Sequence, residues 1–121
     1  MKRKTVKAAL TAYRGIEDEI RQKLQFAEET GEEQYKQEAA ELRTAKLEII
    51  GALNALPQKE RNALWYHYIK GWTWTRVAAK CAYSDRQIRN IANKGLDRLA
   101  KALSKSREAS DFCVRSAEGY L

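Results

Sequence analysis

The sequence has little of the material from which disulfide-bonded, metal-binding or membrane-spanning proteins are made. Its 121 residues include two cysteines, Cys81 and Cys113, and a single histidine, His67. Two cysteines are too few for a disulfide framework, and one histidine leaves almost no ligands for a zinc site. No apolar run approaches the roughly 20 residues that a membrane span needs. We therefore expect no metal, no cofactor, no membrane partner and no enzymatic activity.

The first ten residues, MKRKTVKAAL, are basic but lack the apolar region of a secretory signal, because they continue into TAYRGIEDEI. A cytoplasmic protein is the expectation. The basic residues at the start of the chain are expected to form a solvated, mobile terminus, with a DNA-contacting arm as the alternative. These residues are Lys2, Arg3, Lys4 and Lys7.

Proline and glycine are also scarce, at one and six residues, which favours few turns and long helices. Two apolar stripes with spacings of three and four residues predict a pair of long amphipathic helices before Pro57. The first stripe contains Val6, Ala9, Tyr13, Ile16, Ile20 and Ala27, and the second Leu42, Ala45, Ile49, Ala52, Leu53 and Leu56. Gly31 between them suits the left-handed position after a helix end. Residues 1–56 are thus predicted to form an antiparallel helical hairpin.

Three shorter helices are predicted in residues 57–103. Pro57 opens the first, Thr73 caps the second, and Ser84 with Gln87 forms a capping-box pattern that opens the third. The second and third helices are joined by the three-residue turn AYS, the arrangement of a helix-turn-helix. Residues 104–121 show no sustained period and are predicted to be a flexible tail.

The positive charge is concentrated in the segment that contains these short helices. The chain carries 23 basic and 16 acidic residues, a formal net charge of +7. Residues 58–103 alone hold ten basic and three acidic residues, together with all three tryptophans. A surplus of this kind indicates an acidic partner, nucleic acid first. We expect Trp72 and Trp74 to anchor the core and His67 to pack or lie at the surface.

The outer face of the last of these helices carries the side-chain types that recognise base edges in the major groove. Residues near the start of such a helix reach deepest into the major groove. Base contacts are therefore predicted for Arg86, Gln87, Arg89 and Asn90. Phosphate contacts are predicted further along and on the preceding helix, at Thr73, Arg76, Lys80, Asn93, Lys94 and Arg98. The predicted partner is double-stranded DNA.

The segment from Leu56 to Leu103, LPQKERNALWYHYIKGWTWTRVAAKCAYSDRQIRNIANKGLDRLAKAL, resembles region 4 of bacterial sigma factors. The resemblance is carried by Leu56-Pro57, Leu64, Tyr68, Gly71, Thr73, Val77-Ala78, Ser84, Ile88-Arg89, Ile91, Lys94, Leu96 and Leu99. It implies that the domain reads a promoter element. It also implies base contacts at the family's positions, which are here Asp85, Arg86, Arg89 and Asn90.

The chain departs from this family in three respects. Ala82 stands where the family usually has a turn glycine, Asp85 is acidic where a basic residue is common, and the amino-terminal half does not resemble sigma region 2. The chain is therefore similar to small phage-encoded regulators that activate late genes rather than to a complete sigma factor. The resemblance implies an all-α fold with a three-helix region 4-like domain after the hairpin, in a bacterial cell or phage-infected host. RNA polymerase and a second copy of the chain, bound through the hairpin, are the expected protein partners.

Two other functions remain open from the sequence. The small subunit of a phage DNA-packaging terminase also joins a helix-turn-helix to oligomerising helices. A protein adaptor could use a region 4-like domain to bind a partner without touching DNA.

Overall fold

The computed structural model describes residues 1–119 and confirms the predicted all-α class. The seven α-helices of this part are α1 (Arg3–Ala12), α2 (Ile16–Thr30), α3 (Glu33–Asn54), α4 (Gln58–Leu64), α5 (Trp74–Cys81), α6 (Asp85–Leu103) and α7 (Arg107–Glu118). A 3₁₀ turn, Tyr13–Gly15, separates α1 from α2, and a π-helical segment, Trp65–Ile69, extends α4. No helix within residues 1–119 combines the length and hydrophobicity needed to cross a membrane.

The local signals that define the helix ends are confirmed. Gly31 follows α2 with a φ of 72°, a left-handed conformation that glycine adopts without steric cost. The Thr73 hydroxyl accepts a hydrogen bond from the Arg76 amide at 3.2 Å and so caps α5. Ser84 and Gln87 form both bonds of a capping box at the start of α6. The sequence therefore specifies these ends locally.

The predicted first long helix is wrong, because the chain bends at Tyr13–Gly15 into α1 and α2. Only α2 packs along α3 as a hairpin, whereas α1 packs against α6 and α7. Gly15 lies at this bend, and glycine is about 1 kcal/mol less favourable than alanine within a helix. The amphipathic stripe continues through the bend, which is why periodicity alone did not reveal it.

The basic start of the chain is also not the mobile terminus that we expected. Arg3, Lys4 and Lys7 belong to α1, whose Val6, Ala9 and Leu10 are fully buried. Burial of this apolar side fixes the helix against its neighbours, since removing apolar surface from water is the main stabilising contribution in folding.

The prediction of a flexible tail over residues 104–121 is contradicted by α7. The Ser106 hydroxyl accepts a hydrogen bond from the Ala109 amide and caps this helix. Ala109, Phe112 and Cys113 are buried against α1 and α3. Residues 120–121 of the predicted tail lie outside the described residues. The segment is therefore part of the packed structure up to the end of α7.

One hydrophobic core joins the predicted hairpin to the segment after Pro57. Its buried side chains include Val6 of α1, Ile49 of α3, Leu64 of α4, Leu96 of α6 and Cys113 of α7. Gly95 allows α6 to approach α4 closely, because a Cβ there would lie 3.0 Å from Cδ1 of Leu64. The packing thus continues across the predicted boundary between residues 56 and 57.

Candidate nucleic-acid interface

The turn between α5 and α6 is fixed by backbone and side-chain contacts. Ala82 ends α5 in the left-handed region, with φ 62° and ψ 41°, and the Tyr83 amide donates to the Ala78 carbonyl at 3.0 Å. The Thr75 hydroxyl donates to the Asp85 carboxylate at 3.2 Å and links the two helices directly. The relative position of α5 and α6 is therefore set before any ligand binds.

Two aromatic stacks position the start of α5. Tyr66 stacks on Trp72 with ring centroids 4.6 Å apart, and His67 stacks on Trp74 at 3.7 Å. Both tryptophans are half-buried against the hydrophobic core, as expected from the sequence. The Arg76 guanidinium lies over the Trp72 ring, 3.8 Å from its centroid. This cation–π contact orients an arginine for which the sequence predicted a phosphate contact.

His67 lies in a positively charged region beside these stacks. Burial lowers the pKa of its imidazole, and the positive charges of Arg14, Arg89 and Lys7 lower that pKa further. The hydrogen bond with the Trp72 carbonyl acts in the opposite direction and raises the pKa, but the net shift is downward. The imidazole is consequently neutral at pH 7. Cations of α1 and α6 therefore lie near the same half-buried imidazole.

The outer face of α6 exposes most of the predicted contact residues together. Arg86, Arg89, Asn90 and Lys94 are exposed, while Asn93 is half-buried. The three cations of this group form no ion pair with any residue in the described part of the chain. Lys80 on α5 is likewise exposed. The donors of these side chains are thus free for an external partner.

Three of the predicted contact residues on α6 have structural partners. The Gln87 side-chain oxygen accepts from the Ser84 amide in the capping box, and Asp85 accepts from Thr75. Arg98 Nε lies 3.2 Å from a carboxylate oxygen of Glu60, a residue only 2% exposed. The contacts of Asp85 and Arg98 hold α6 to α5 and α4, and the Gln87 contact caps the start of α6. These three side chains therefore differ from the exposed side chains that have no partner within residues 1–119.

A fourth contact neutralises an acidic residue on the outer face. Arg3 of α1 donates two hydrogen bonds to the Asp97 carboxylate, at 2.7 and 2.8 Å. These bonds hold the pKa of Asp97 below its usual range. This role of α1 was not predicted, although Lys4, Lys7, Thr11 and Arg14 recur in the sequence at spacings of three and four residues.

The described residues hold no group of three or more potential metal ligands among histidine, cysteine, aspartate and glutamate. Burial raises the pKa of the Cys81 thiol and raises that of Cys113 to about 11. Because the thiolate is the reactive form of cysteine, both thiols are weak nucleophiles at neutral pH.

Comparison with known proteins gives no family assignment. No protein-family model matches the chain, and no curated protein or solved structure shows significant similarity to it.

Proposed function

We propose that the protein binds double-stranded DNA sequence-specifically and regulates transcription, with α5 and α6 acting as a helix-turn-helix. The single observation that carries this proposal is the outer face of α6. Exposed arginines and asparagine lie there without structural partners, while Asp97 is neutralised by Arg3. Such a face matches the polar edges of base pairs and the negative charge of the backbone.

In this proposal α6 enters the major groove with its first two turns. Arg86 and Arg89 are suited to the acceptors of guanine, and Asn90 to adenine. Asp85 and Gln87 orient the start of the helix through the bonds described above, rather than contacting bases themselves. The base contacts predicted from the sequence are thereby reduced to those of Arg86, Arg89 and Asn90.

Phosphate contacts would hold α6 in register. Arg76 is oriented by Trp72 beside the capped start of α5, where Thr73 and the helix N–H groups also lie. Lys80, Asn93 and Lys94 are the other candidates for phosphate contacts. Arg98 is paired with Glu60 and would therefore contribute less to the affinity for phosphate than the unpaired lysines.

Two protein partners belong to the same proposal. The similarity to region 4 of sigma factors supports RNA polymerase, and the α2–α3 hairpin supports a second copy of the chain. Leu47 on α3 is 67% exposed and offers an apolar side chain on the outside of the hairpin. Sedimentation equilibrium should detect a dimer that a Leu47→Glu variant weakens, whereas a monomer at all concentrations would contradict self-association.

The decisive experiment selects bound sequences from a random duplex pool at near-physiological salt. An enriched motif is the expected result, and a palindromic motif would indicate that two copies bind together. Retention of DNA without any enriched motif would contradict sequence-specific recognition. A ring of many copies in the same preparation would favour the terminase small subunit, and failure to bind any duplex at low salt would favour the protein adaptor.

The Arg89→Ala variant tests the assignment of α6. It should lose about 1–3 kcal/mol of binding free energy on the selected sequence and show relaxed preference at one base pair. Arg43→Ala, on the exposed side of α3, is the matched control and should bind like the parent protein. Equal loss on selected and random duplexes would show that Arg89 contacts phosphate instead of a base.

A further inference from the structure

Helix α1 has two chemically distinct sides. Val6, Ala9 and Leu10 are fully buried on one side. The opposite side carries exposed polar residues at spacings of three and four, which lie on one face of a helix. These residues are Lys4, Lys7, Thr11 and Arg14, of which Arg14 lies just beyond the helix end in the 3₁₀ turn. Three cations thus form a row along the outside of the amino-terminal segment.

This row is attached at both ends to the candidate interface. Near its start, Arg3 binds Asp97 on the outer face of α6 at 2.7 Å. At its other end, Arg14 Nε donates to the Tyr68 carbonyl at 2.7 Å, and the guanidinium lies close to Gly71. The row therefore extends from the second half of α6 to the segment just before α5.

Lys7, in the middle of the row, lies in the same electrostatic environment as the exposed face of α6. The positive charges of Lys7, Arg14 and Arg89 all act on the half-buried His67. Since Arg89 belongs to the predicted reading face, cations of α1 and of that face lie near the same side chain.

We propose that α1 is part of the DNA-binding surface, and that Lys4 and Lys7 contact backbone phosphates beside the groove occupied by α6. This inference rests on the proposed function. It assigns a second set of contacts that increases affinity for any duplex without reading its sequence. Arg3 serves the same surface indirectly, because it neutralises the acidic Asp97 on the outer face of α6.

The arrangement of charges favours phosphate as the ligand. Lys4 and Lys7 are exposed and form no ion pair with a residue of the described chain. The row from Lys4 to Arg14 spans roughly 15 Å at the rise of an α-helix, which is about the axial rise of four base pairs of duplex DNA. Flexible lysine side chains suit such contacts, since an ammonium group binds a phosphate as a point charge.

The test compares two double variants with the same loss of charge. Lys4→Gln/Lys7→Gln removes two cations from α1, and Lys36→Gln/Arg43→Gln removes two from the exposed side of α3. All four positions are exposed, so both variants should retain the thermal unfolding midpoint of the parent protein. Affinity for the selected duplex and for random duplexes is then measured over a range of salt concentrations.

For the α1 variant we expect about a ten-fold loss of affinity per lysine at 0.1 M salt, equally on selected and random duplexes. The slope of log affinity against log salt should fall by about one for each lysine removed. The α3 variant should keep the parent slope.

Equal behaviour of the two double variants would overturn the role of α1, and so would a loss confined to the selected sequence. In either case the Arg89→Ala variant would still test base contact by α6, so the proposed function would not be contradicted. Absence of any duplex binding by the parent protein at low salt would instead overturn the proposed function, and the role of α1 with it.

Discussion

Ala82 shows how a single backbone conformation can matter to the whole interface. It is the one non-glycine residue within positions 1–119 that has a positive φ. A side chain in the left-handed region places Cβ too close to the following carbonyl and costs about 1 kcal/mol or more. The structure retains this conformation because it ends α5 and turns the chain into the Ser84 cap of α6.

Replacing Ala82 by glycine should therefore stabilise the protein. We expect Ala82→Gly to raise the free energy of unfolding by about 1 kcal/mol, since glycine relieves the steric conflict at only a small entropic cost. Urea denaturation followed by circular dichroism measures the change.

Ala79→Gly is the matched control, because this exposed residue lies inside α5 with ordinary helical geometry. It should lower the free energy of unfolding by about 0.5–1 kcal/mol. Destabilisation by both substitutions would show that the turn does not adopt the left-handed conformation in solution.

Among the helices, the ends of α5 and α6 could be predicted from local signals in the sequence, whereas the break between α1 and α2 and the existence of α7 were not predicted. The bounds of α5 and α6 follow from Thr73, Ser84 and Gln87, whose hydrogen bonds connect residues only three positions apart. The same reasoning correctly assigned the left-handed conformation of Gly31. Capping and periodicity depend on near neighbours, which is why such features can be read directly from the chain.

Helix α7 was missed because its evidence is mostly tertiary. Its buried residues Ala109, Phe112, Cys113 and Ser116 do have helical spacing. Only Phe112 among them is large and apolar, so the stripe is weak by itself. The helix is stabilised by α1 and α3, and the contacts with α1 join residues about one hundred positions apart. Another long-range contact, Arg3 with Asp97, joins α1 to α6.

Phe112 is the residue by which the packing of α7 can be tested. It is 3% exposed, so Phe112→Ala should lower the free energy of unfolding by about 3–5 kcal/mol through lost burial and a residual cavity. Val114→Ala, at a position 45% exposed on the same helix, should change it by no more than about 0.5 kcal/mol. Similar small effects from both substitutions would mean that α7 does not pack as described.

At the scale of the molecule, one hydrophobic core contains side chains from both sides of Pro57. α6 packs on α1 and α3 as well as on α4 and α5. The boundary at Pro57 was predicted from a change in sequence pattern, and such a pattern cannot show that apolar side chains on both sides of it meet. The sequence indicated which faces are apolar but not which of them pack together.

A fragment consisting of residues 57–103 should consequently fail to fold on its own. Removing α1 and α3 takes away two helices that pack on α6, whose Leu96 and Leu103 are buried in the intact protein. So short a chain buries too little apolar surface to offset the conformational entropy that is lost on folding. We expect a broad, non-cooperative thermal transition by circular dichroism, in contrast to a single cooperative transition for residues 1–121. A sharp transition of the fragment would show that it is an independent domain.

The turn at Gly31 is a suitable position for a label that reports DNA binding. A Cβ at Gly31 would meet no atom within 4 Å, and the neighbouring Glu32 is exposed. Exposed turns of this kind accept insertions more readily than packed helices do. A short fluorescent tag placed between these two residues would leave both α1 and α6 unmodified. Binding to a duplex could then be followed by the slower tumbling of the tagged protein, without labelling either surface that the DNA would cover.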